Sequence, residues 1–251
     1  MFIPFLTRGG AEMQGFLLAT GLAGKGYHVE ICAFRNQHAQ SNLIQELDKY
    51  QLNYFELPFG MEVFFSRYDT FKALWSFRKI LTQKKIDIII PFTWWCNFLS
   101  ALVFRFAGVK QCFWNQRSVD HHVPVRKIEK LIPTSRITFV SNSNPGKKFI
   151  SSRLKVPLEK ISVIRNGVQM KNLNLNYENA SAQRGDNKLF KIIMVANFFP
   201  EKDHATVLKG LKLMLNDRTD VQVLFAGNCE NDFGMRAKSL AFDLKLCEHA
   251  I

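Results

Sequence analysis

Short apolar segments alternate with helix-length segments along almost the whole chain, and this alternation limits the folds open to the chain more than any other feature. Seven candidate strands, apolar on both faces, come first: residues 2–6, 27–34, 53–57, 86–91, 111–115, 136–141 and 160–165. Helices are predicted between them, near residues 11–24, 40–50, 69–84, 94–107, 121–132 and 144–153. Such an alternation is typical of a parallel sheet covered on both faces. The sequence therefore predicts an α/β fold with a Rossmann-like, doubly wound parallel sheet.

The alternation stops at residues 166–188, which are rich in Asn, Gln, Ser and Gly, and then starts again. Strands are predicted at 190–196 and 221–226, and helices at 202–216 and 233–246. We therefore predict an N-terminal domain at 1–168, a linker at 169–188 and an incomplete second Rossmann-like domain at 189–251. A doubly wound domain usually takes about 100 residues or more. Two βα units should leave a sheet edge and apolar faces uncovered, so we expect the sequence to stop within its second domain.

Composition narrows the class of protein. No apolar run is long enough to cross a bilayer, and the N-terminal segment is too short for a signal peptide. The five cysteines are far apart and lack zinc spacing, which favours reduced thiols in the cytoplasm and no metal site. Of the formal charge of +13, +12 falls in residues 1–178, with 24 Lys and Arg against 12 Asp and Glu. Such a field attracts phosphates, anionic lipid or nucleic acid.

Three polar segments follow candidate strands and open helices, the position at which parallel α/β sheets bind ligands. Residues 7–12 (TRGGAE) offer two glycines at a helix N-terminus, either for an anion or simply for a tight turn. In residues 140–147 (VSNSNPGK), Ser143 or Asn144 can cap the next helix. Residues 196–204 (ANFFPEKDH) place Lys202 beside a helix N-terminus, where it is either solvated or able to neutralise phosphate oxygens.

Taken in order, these segments resemble those of the retaining, two-domain GT-B glycosyltransferases of family 4. The matching residues are Gly9-Gly10-Ala11-Glu12, Val140-Ser141-Asn142-Ser143, residues 160–168 (KISVIRNGV), Pro200-Glu201-Lys202 and residues 223–227 (VLFAG). The resemblance covers the chain from about residue 5 to its end. It implies a hexosyltransferase that moves a sugar from a nucleoside-diphosphate sugar to an acceptor, with retained anomeric configuration and with no cofactor or essential metal. The donor is expected on the C-terminal domain and the acceptor on the N-terminal one.

The resemblance also implies roles for individual residues. Lys202 matches the lysine that contacts the donor diphosphate, and Gly9 and Gly10 match a loop that faces the donor phosphates and the acceptor. Asn197 stands where many members have a phosphate-binding arginine. The usual N-domain histidine is replaced within residues 114–117, so Arg117 joins Lys202 as a catalytic candidate, with His121 or His122 as alternatives. The acceptor-side candidates are Glu12, Trp114, Asn115, Gln116, Arg117 and Ser143.

Several functions stay open at this point. The leading hypothesis is a transferase in the assembly of a surface polysaccharide or lipopolysaccharide, with a saccharide or lipid-linked acceptor. The family's E-x7-E segment is missing, so the alternative is a non-catalytic remnant that binds only the acceptor or an anionic membrane surface. No nucleic-acid-binding motif is visible, and a dehydrogenase would need GxGxxG.

Membrane contact is a second open question. Residues 68–86 place Phe71, Leu74, Trp75 and Leu81 near one face of a helix, with basic residues elsewhere. This pattern suits a helix on anionic lipid, hence peripheral association with the inner membrane surface. The pattern suits even better a helix that packs on its own sheet and has a solvated basic side.

Overall fold

The computed structural model describes residues 1–35, 42–119, 127–168 and 189–250. The chain forms two compact units, residues 1–170 and 171–251. The predicted linker, 169–188, lies outside the described residues, and so do His121 and His122. The bounds of that linker therefore stay a prediction.

Among its described residues the first unit has seven strands, all paired in parallel. They are β1 Phe2–Ile3, β2 Glu30–Ala33, β3 Asn53–Glu56, β4 Ile88–Ile89, β5 Gln111–Gln116, β6 Ile137–Ser141 and β7 Ile161–Val163. One group has the order β3-β2-β1 and the other β4-β5-β6-β7. Phe2 joins them, because its N–H donates to the Ile90 carbonyl (3.0 Å) and its carbonyl accepts from the Phe92 N–H (2.8 Å). The predicted doubly wound parallel sheet is confirmed, and its strand order reverses between β1 and β4.

Helices cover both faces of this sheet. They are α1 Gly10–Ala23, α2 Ile44–Lys49, α3 Arg67–Gln83, α4 Trp94–Val103 and α5 Asn144–Leu154. Short 3-10 helices lie at Met61–Phe65, Phe104–Ala107, Lys127–Leu131, Thr134–Arg136 and Leu158–Lys160. The first two α-helices share one buried apolar cluster, and the other three share a larger one. Of the helix predicted at 121–132, only 127–132 is described, and there the chain forms the single 3-10 segment Lys127–Leu131.

The larger cluster is filled mainly by aromatic rings, which explains part of the high phenylalanine content. Trp94 and Trp114 meet edge to face with ring centroids 5.0 Å apart, and Phe139 packs against Trp114 at 6.0 Å. Phe2 contacts Phe34 at 4.9 Å from the central strand. Edge-to-face and tilted pairs add about 0.5–1.5 kcal/mol each beyond the area that they bury.

A buried ion pair fastens the 127–131 segment to this core. The Nε of Arg153 on α5 donates to one Glu129 oxygen at 3.0 Å, and the second arm of the guanidinium donates to the other oxygen at 2.8 Å. The two side chains are only 7% and 6% exposed. The guanidinium also lies over the Trp94 ring at 3.9 Å, so one arginine connects three elements.

In its described part, residues 189–250, the second unit has two parallel strands, β8 Phe190–Val195 and β9 Val221–Ala226. The same part has two α-helices, α6 His204–Met214 and α7 Asp232–Asp243. The helices pack on one face of the sheet through the core residues Leu208, Leu211, Val221, Val223 and Leu246. On the other face Ile193 and Val195 are 64% and 76% exposed. The expectation that two βα units leave an apolar face uncovered is therefore confirmed for the described residues.

We expect Glu129→Gln to lower the free energy of unfolding by about 3 kcal/mol or more, because it removes the carboxylate from a desolvated guanidinium. Asp87→Asn is the matched control, since it breaks the exposed pair with Lys110 (2.7 Å), and such a pair contributes less than about 1 kcal/mol. Urea unfolding of both variants measures the difference. Equal losses would mean that burial adds nothing to the Arg153–Glu129 pair.

Candidate functional site

The candidate site of the first unit lies at the carboxyl edge of the sheet, beside the reversal of strand order. All seven strands are parallel, so the segments that follow β1, β4, β5, β6 and β7 leave from this same edge. Gly9, Gly10 and Glu12 follow β1, Arg117 follows β5, and Ser143 follows β6. This is the place at which open α/β sheets bind ligands.

Glu12 folds back over the start of α1. A Cβ at Gly9 would overlap the Glu12 carboxylate, so a larger residue there would require the Glu12 side chain to move. A Cβ at Gly10 would meet nothing within 4 Å, which leaves open space at that position. Burial raises the pKa of the Glu12 carboxyl, and a hydrogen bond from its own backbone N–H opposes that rise. Gly9 thus leaves space for the Glu12 carboxylate. Its role towards phosphate stays a prediction.

Arg117 extends from the end of β5 to the segment that follows β7. One terminal nitrogen donates to the Asn166 Oδ1 at 2.8 Å, and the guanidinium lies 5.0 Å from the centroid of the Phe92 ring. Its Nε is buried without a hydrogen-bond partner. Burial lowers the pKa of the guanidinium, which still stays protonated at any ordinary pH. The Arg117 guanidinium therefore carries a positive charge, and its Nε–H has no acceptor.

Gln14 fixes the same segment from α1. Its side-chain amide donates to the Gly167 carbonyl at 2.8 Å, and its Oε1 accepts from the Gly167 N–H at 3.0 Å. Sequence reasoning missed this contact, because a glutamine on a helix carries no signal for a partner 153 residues away.

Three predicted acceptor-side residues lie at the end of β5 and are buried. Trp114 is fully buried and donates from Nε1 to the Gln116 Oε1 at 2.9 Å, and Gln116 donates to the Ser118 carbonyl at 2.6 Å. The backbone of Asn115 is held by the side chain of Asn97, with hydrogen bonds of 2.9 and 3.1 Å. β5 is an inner strand of the sheet, and the acceptor-side role of these three residues stays a prediction. The Asn115 Oδ1 is buried and has no hydrogen-bond partner.

Ser143 acts as a helix cap. Its Oγ accepts from the Gly146 N–H at 3.3 Å at the start of α5, which is the simpler of the two interpretations of the VSNS segment. The neighbouring Ser141 Oγ lies where a Cβ at Gly146 would be, at 2.4 Å. This turn is built for the start of the helix.

Thr93 is a site residue that sequence reasoning missed. It joins β4 to α4 with φ 70° and ψ 169°, a region that only glycine occupies without strain. Its hydroxyl contacts the Cys96 Sγ at 3.9 Å. A strained β-branched residue at the reversal of strand order marks a place where the backbone is held by its surroundings. No sequence pattern announces it, because the strain lies in dihedral angles.

The second unit carries the remaining candidates at the carboxyl edge of its own sheet. Lys202 is exposed at the end of the 3-10 segment Pro200–Lys202, and none of the described carboxylates pairs with it. Asp203 caps α6 by accepting from the Thr206 N–H at 3.2 Å and the Thr206 hydroxyl at 2.7 Å. These hydrogen bonds hold the pKa of Asp203 below its usual range. Lys202 thus stands as a cation that pairs with none of the described carboxylates, two residues before the first residue of α6.

Asn197 links the ends of the two strands. Its Oδ1 accepts from the Asn228 N–H at 3.0 Å, which leaves the amide hydrogens for a ligand. Gly227 lies against the same turn, and a Cβ there would be 2.1 Å from the Ala196 carbonyl oxygen. Only glycine allows the two backbones to approach this closely.

No group of three or more His, Cys, Asp or Glu among the described residues could hold a metal ion. In the same part of the chain, no helix has the length and apolar character needed to span a bilayer.

The chain is similar to known glycosyltransferases. The family model described as Glycosyltransferase Family 4 matches residues 8–172. A capsular polysaccharide biosynthesis glycosyltransferase of Staphylococcus aureus, CapH, is 23% identical over 248 residues, which are 94% of this chain and 63% of CapH. The chain therefore spans less than two thirds of the length of that relative.

Solved structures share the fold. A glycosyltransferase from Rickettsia africae matches all of this chain and 66% of its own, with a TM-score of 0.66 and 19% identity. Anabaena Alr3699/HepE, solved in complex with UDP and glucose, matches all of this chain and 67% of its own, with a TM-score of 0.70 and 15% identity. At these identities the likeness establishes the α/β fold of GT-B type.

We expect the free energy of unfolding of Glu12→Gln, relative to that of the native protein, to increase as the pH rises. The folded state holds the Glu12 proton above the ordinary pKa of 4.5, so the carboxyl supports folding fully below that value. This support is lost as the pH rises through the folded pKa. Unfolding free energies at pH 4 and pH 8, compared with the exposed control Glu159→Gln, measure the change. A difference between Glu12→Gln and the native protein that is the same at both pH values would contradict this account.

Thr93→Gly should raise the free energy of unfolding by about 1 kcal/mol, because glycine relieves the strain at positive φ. Ser162→Gly, at an exposed position in β7, is the control and should lose stability, since glycine weakens an ordinary strand. Thermal unfolding of both variants measures the two changes in stability. A loss of stability at both positions would show that the Thr93 backbone carries no strain.

Proposed function

The chain belongs to glycosyltransferase family 4, and on that basis we propose that the protein transfers a sugar from a nucleoside-diphosphate sugar to a surface-polysaccharide or lipid-linked acceptor, with retained anomeric configuration. The name of CapH refers to capsular polysaccharide biosynthesis, and HepE was solved with UDP and glucose. Both support this donor and acceptor class. The structural neighbours also include a lipopolysaccharide outer core galactosyltransferase, WaaB.

The observation that carries the proposal is the placement of Lys202. Breaking the bond between sugar and diphosphate builds negative charge on the leaving oxygen, and catalysis needs groups that stabilise this charge. Lys202 is exposed, pairs with no described carboxylate and lies at the carboxyl edge of two parallel strands beside the N-terminus of α6. An ammonium and the positive end of a helix both favour a phosphate at this place. We propose that the Asn197 amide hydrogens add a neutral contact.

On the first unit, Arg117 is the residue best suited to hold the acceptor or the sugar being transferred. Because a guanidinium keeps its proton, it cannot act as a general base, and its proposed role is charge and positioning. Glu12 adds a carboxyl whose raised pKa favours the protonated form at higher pH than usual, so it can donate as well as accept a hydrogen bond. Both groups lie at the carboxyl edge of the sheet, where ligands bind in open α/β proteins.

The proposed reaction takes place without a metal ion or cofactor, with Lys202 and helix N-termini in the place of a metal. We further propose a cytoplasmic site of action at the inner membrane surface. All five cysteines are free, as expected in a reducing compartment. Cys32, Cys96 and Cys112 are buried, and burial raises the pKa of the Cys32 thiol to about 12. These three thiols therefore stay protonated and unreactive.

We expect Lys202→Ala in the full-length protein to weaken binding of a nucleoside diphosphate by about tenfold to a hundredfold, since it removes one charge-assisted contact worth about 1.5–3 kcal/mol. Lys209→Ala, an exposed lysine farther along α6, is the matched control. Calorimetric titration with UDP, GDP and ADP measures the affinities.

Unchanged affinity in Lys202→Ala would remove this residue from the donor site. Donor binding without sugar transfer to any saccharide or lipid-linked acceptor would reject the transferase and favour a protein that only binds. Either result leaves the membership of the family untouched.

A further inference from the structure

The cations at the carboxyl edge of the first unit fall into two groups that differ in their partners. Arg8 follows β1 and forms an ion pair with Glu46 of α2. Arg35 follows β2 and lies 4.0 Å from a carboxylate oxygen of Glu62. On this side of the edge, therefore, each arginine finds its counter-ion within the protein.

The cations on the other side of the edge have no such counter-ions. Four of them follow β5, β6 and β7, and they are Arg117, Lys147, Lys148 and Arg165. We call these four residues the basic edge. None of them forms an ion pair with a described carboxylate. The described segments that carry them, 117–119, 142–150 and 164–168, contain no Asp or Glu.

Arg117 is the member of the basic edge that its surroundings hold most firmly. Because β6 lies between β5 and β7, the hydrogen bond from Arg117 to Asn166 carries its side chain across the end of β6. The side-chain amide of Asn142 donates to the Arg117 carbonyl at 3.1 Å and fixes its backbone. A guanidinium that is already held in this way loses little conformational freedom when it binds a ligand.

The groups that contact the Arg117 guanidinium are neutral. They are the amide oxygen of Asn166 and the Phe92 ring, and the Nε–H is buried without an acceptor. Burial lowers the pKa of the guanidinium, and none of the described carboxylates opposes this change. A charge that leaves water without a counter-ion costs free energy. A negatively charged ligand would recover part of that free energy.

Glu12 is not the missing counter-ion, although it lies at the same edge. It forms no ion pair with any described cation. Burial raises the pKa of its carboxyl and so favours the neutral form, which can donate a hydrogen bond to a hydroxyl oxygen. A neutral carboxyl and a separate cation together suit a ligand that has both hydroxyl groups and a negative charge.

We propose that the saccharide bound by the first unit carries a carboxylate or a phosphate, and that Arg117 binds this anionic group. A guanidinium matches the oxygens of either anion, whereas a neutral sugar offers only hydroxyl groups. The other three cations of the basic edge add long-range attraction for such a ligand. The inference rests on the proposed function for the ligand being a saccharide, and it adds the charge of that saccharide.

The probes are glucuronic acid and glucose 6-phosphate, with glucose as the neutral reference. Each is titrated into the full-length protein, and the affinity is measured by saturation-transfer NMR. We expect at least one of the two anionic sugars to bind about tenfold more tightly than glucose, and less tightly at high salt. The tighter of the two identifies the anion as carboxylate or phosphate.

Two variants of Arg117 test whether its guanidinium binds the anion. Arg117→Gln should reduce the affinity for the anionic sugar to that for glucose, and Arg117→Lys should give an intermediate affinity because it keeps the charge without the planar fork. Arg136→Gln is the matched control, since this exposed arginine precedes β6 at the opposite edge of the sheet. Circular dichroism verifies folding, and Arg117→Lys carries the test if Arg117→Gln is unfolded.

Thermal unfolding supplies a second readout. A ligand that binds only the folded state raises the Tm, so the anionic sugar should raise the Tm of the native protein and of Arg136→Gln. The same concentration should leave the Tm of Arg117→Gln unchanged.

Three results would overturn the inference. Glucose may bind as tightly as both anionic sugars, or Arg117→Gln may leave their affinity unchanged. The third is displacement of glucuronic acid by UDP together with weaker UDP binding in Arg117→Gln, which would assign the guanidinium to the donor diphosphate.

The inference and the proposed function can fail separately. Sugar transfer to neutral acceptors with no preference for charged ones would overturn the inference and leave the transferase in place. Binding of an anionic sugar through Arg117, without transfer from any nucleoside-diphosphate sugar, would reject the transferase and support the inference.

Discussion

Two backbone hydrogen bonds made by Phe2 hold the first unit together as one sheet. They join β1 to the chain after β4, and without them the strands would form two separate groups of three and four. The Phe2 side chain is fully buried against Phe34 and Phe77, so the pairing is protected from water. The segments that carry Glu12 and Thr93 leave the sheet side by side only because this pairing sets β1 next to β4.

The core beneath the candidate site combines aromatic packing with a few buried polar contacts. The Asn97 side chain satisfies the backbone of β5 at Asn115, and Arg153 stacks on Trp94 while it pairs with Glu129. A buried polar group without a partner costs free energy, so these groups hold their partners in one arrangement. They fix the end of β5, and the end of β5 in turn positions Arg117.

The fold could be predicted from the sequence because the information for it is local. Apolar strand-length runs and helical periodicity repeat from one end of the chain to the other, and they give the parallel sheet without knowledge of contacts. The restart after residue 188 likewise predicted the two-stranded second unit and its uncovered face. The helix predicted at 121–132 was less successful, since its described part, 127–132, contains only the 3-10 turn Lys127–Leu131.

The site could be predicted only where a residue type has a local role. Ser143 is a cap and Lys202 precedes a helix, and both follow from neighbours in sequence. The side chains of Trp114 and Gln116 turn into the core, which depends on where β5 ends and on what covers it. The folded carboxylate of Glu12 and the backbone of Thr93 depend on tertiary packing, for which the sequence holds no readable signal.

The burial of the cysteines divides the chain chemically. The three thiols of the first unit lie inside its core, whereas Cys229 is half-buried and Cys247 is exposed, both in the second unit. Accessible thiol groups are therefore confined to one of the two units. A maleimide dye or spin label can report on the second unit of the native chain without prior replacement of any cysteine, and the first unit stays chemically silent.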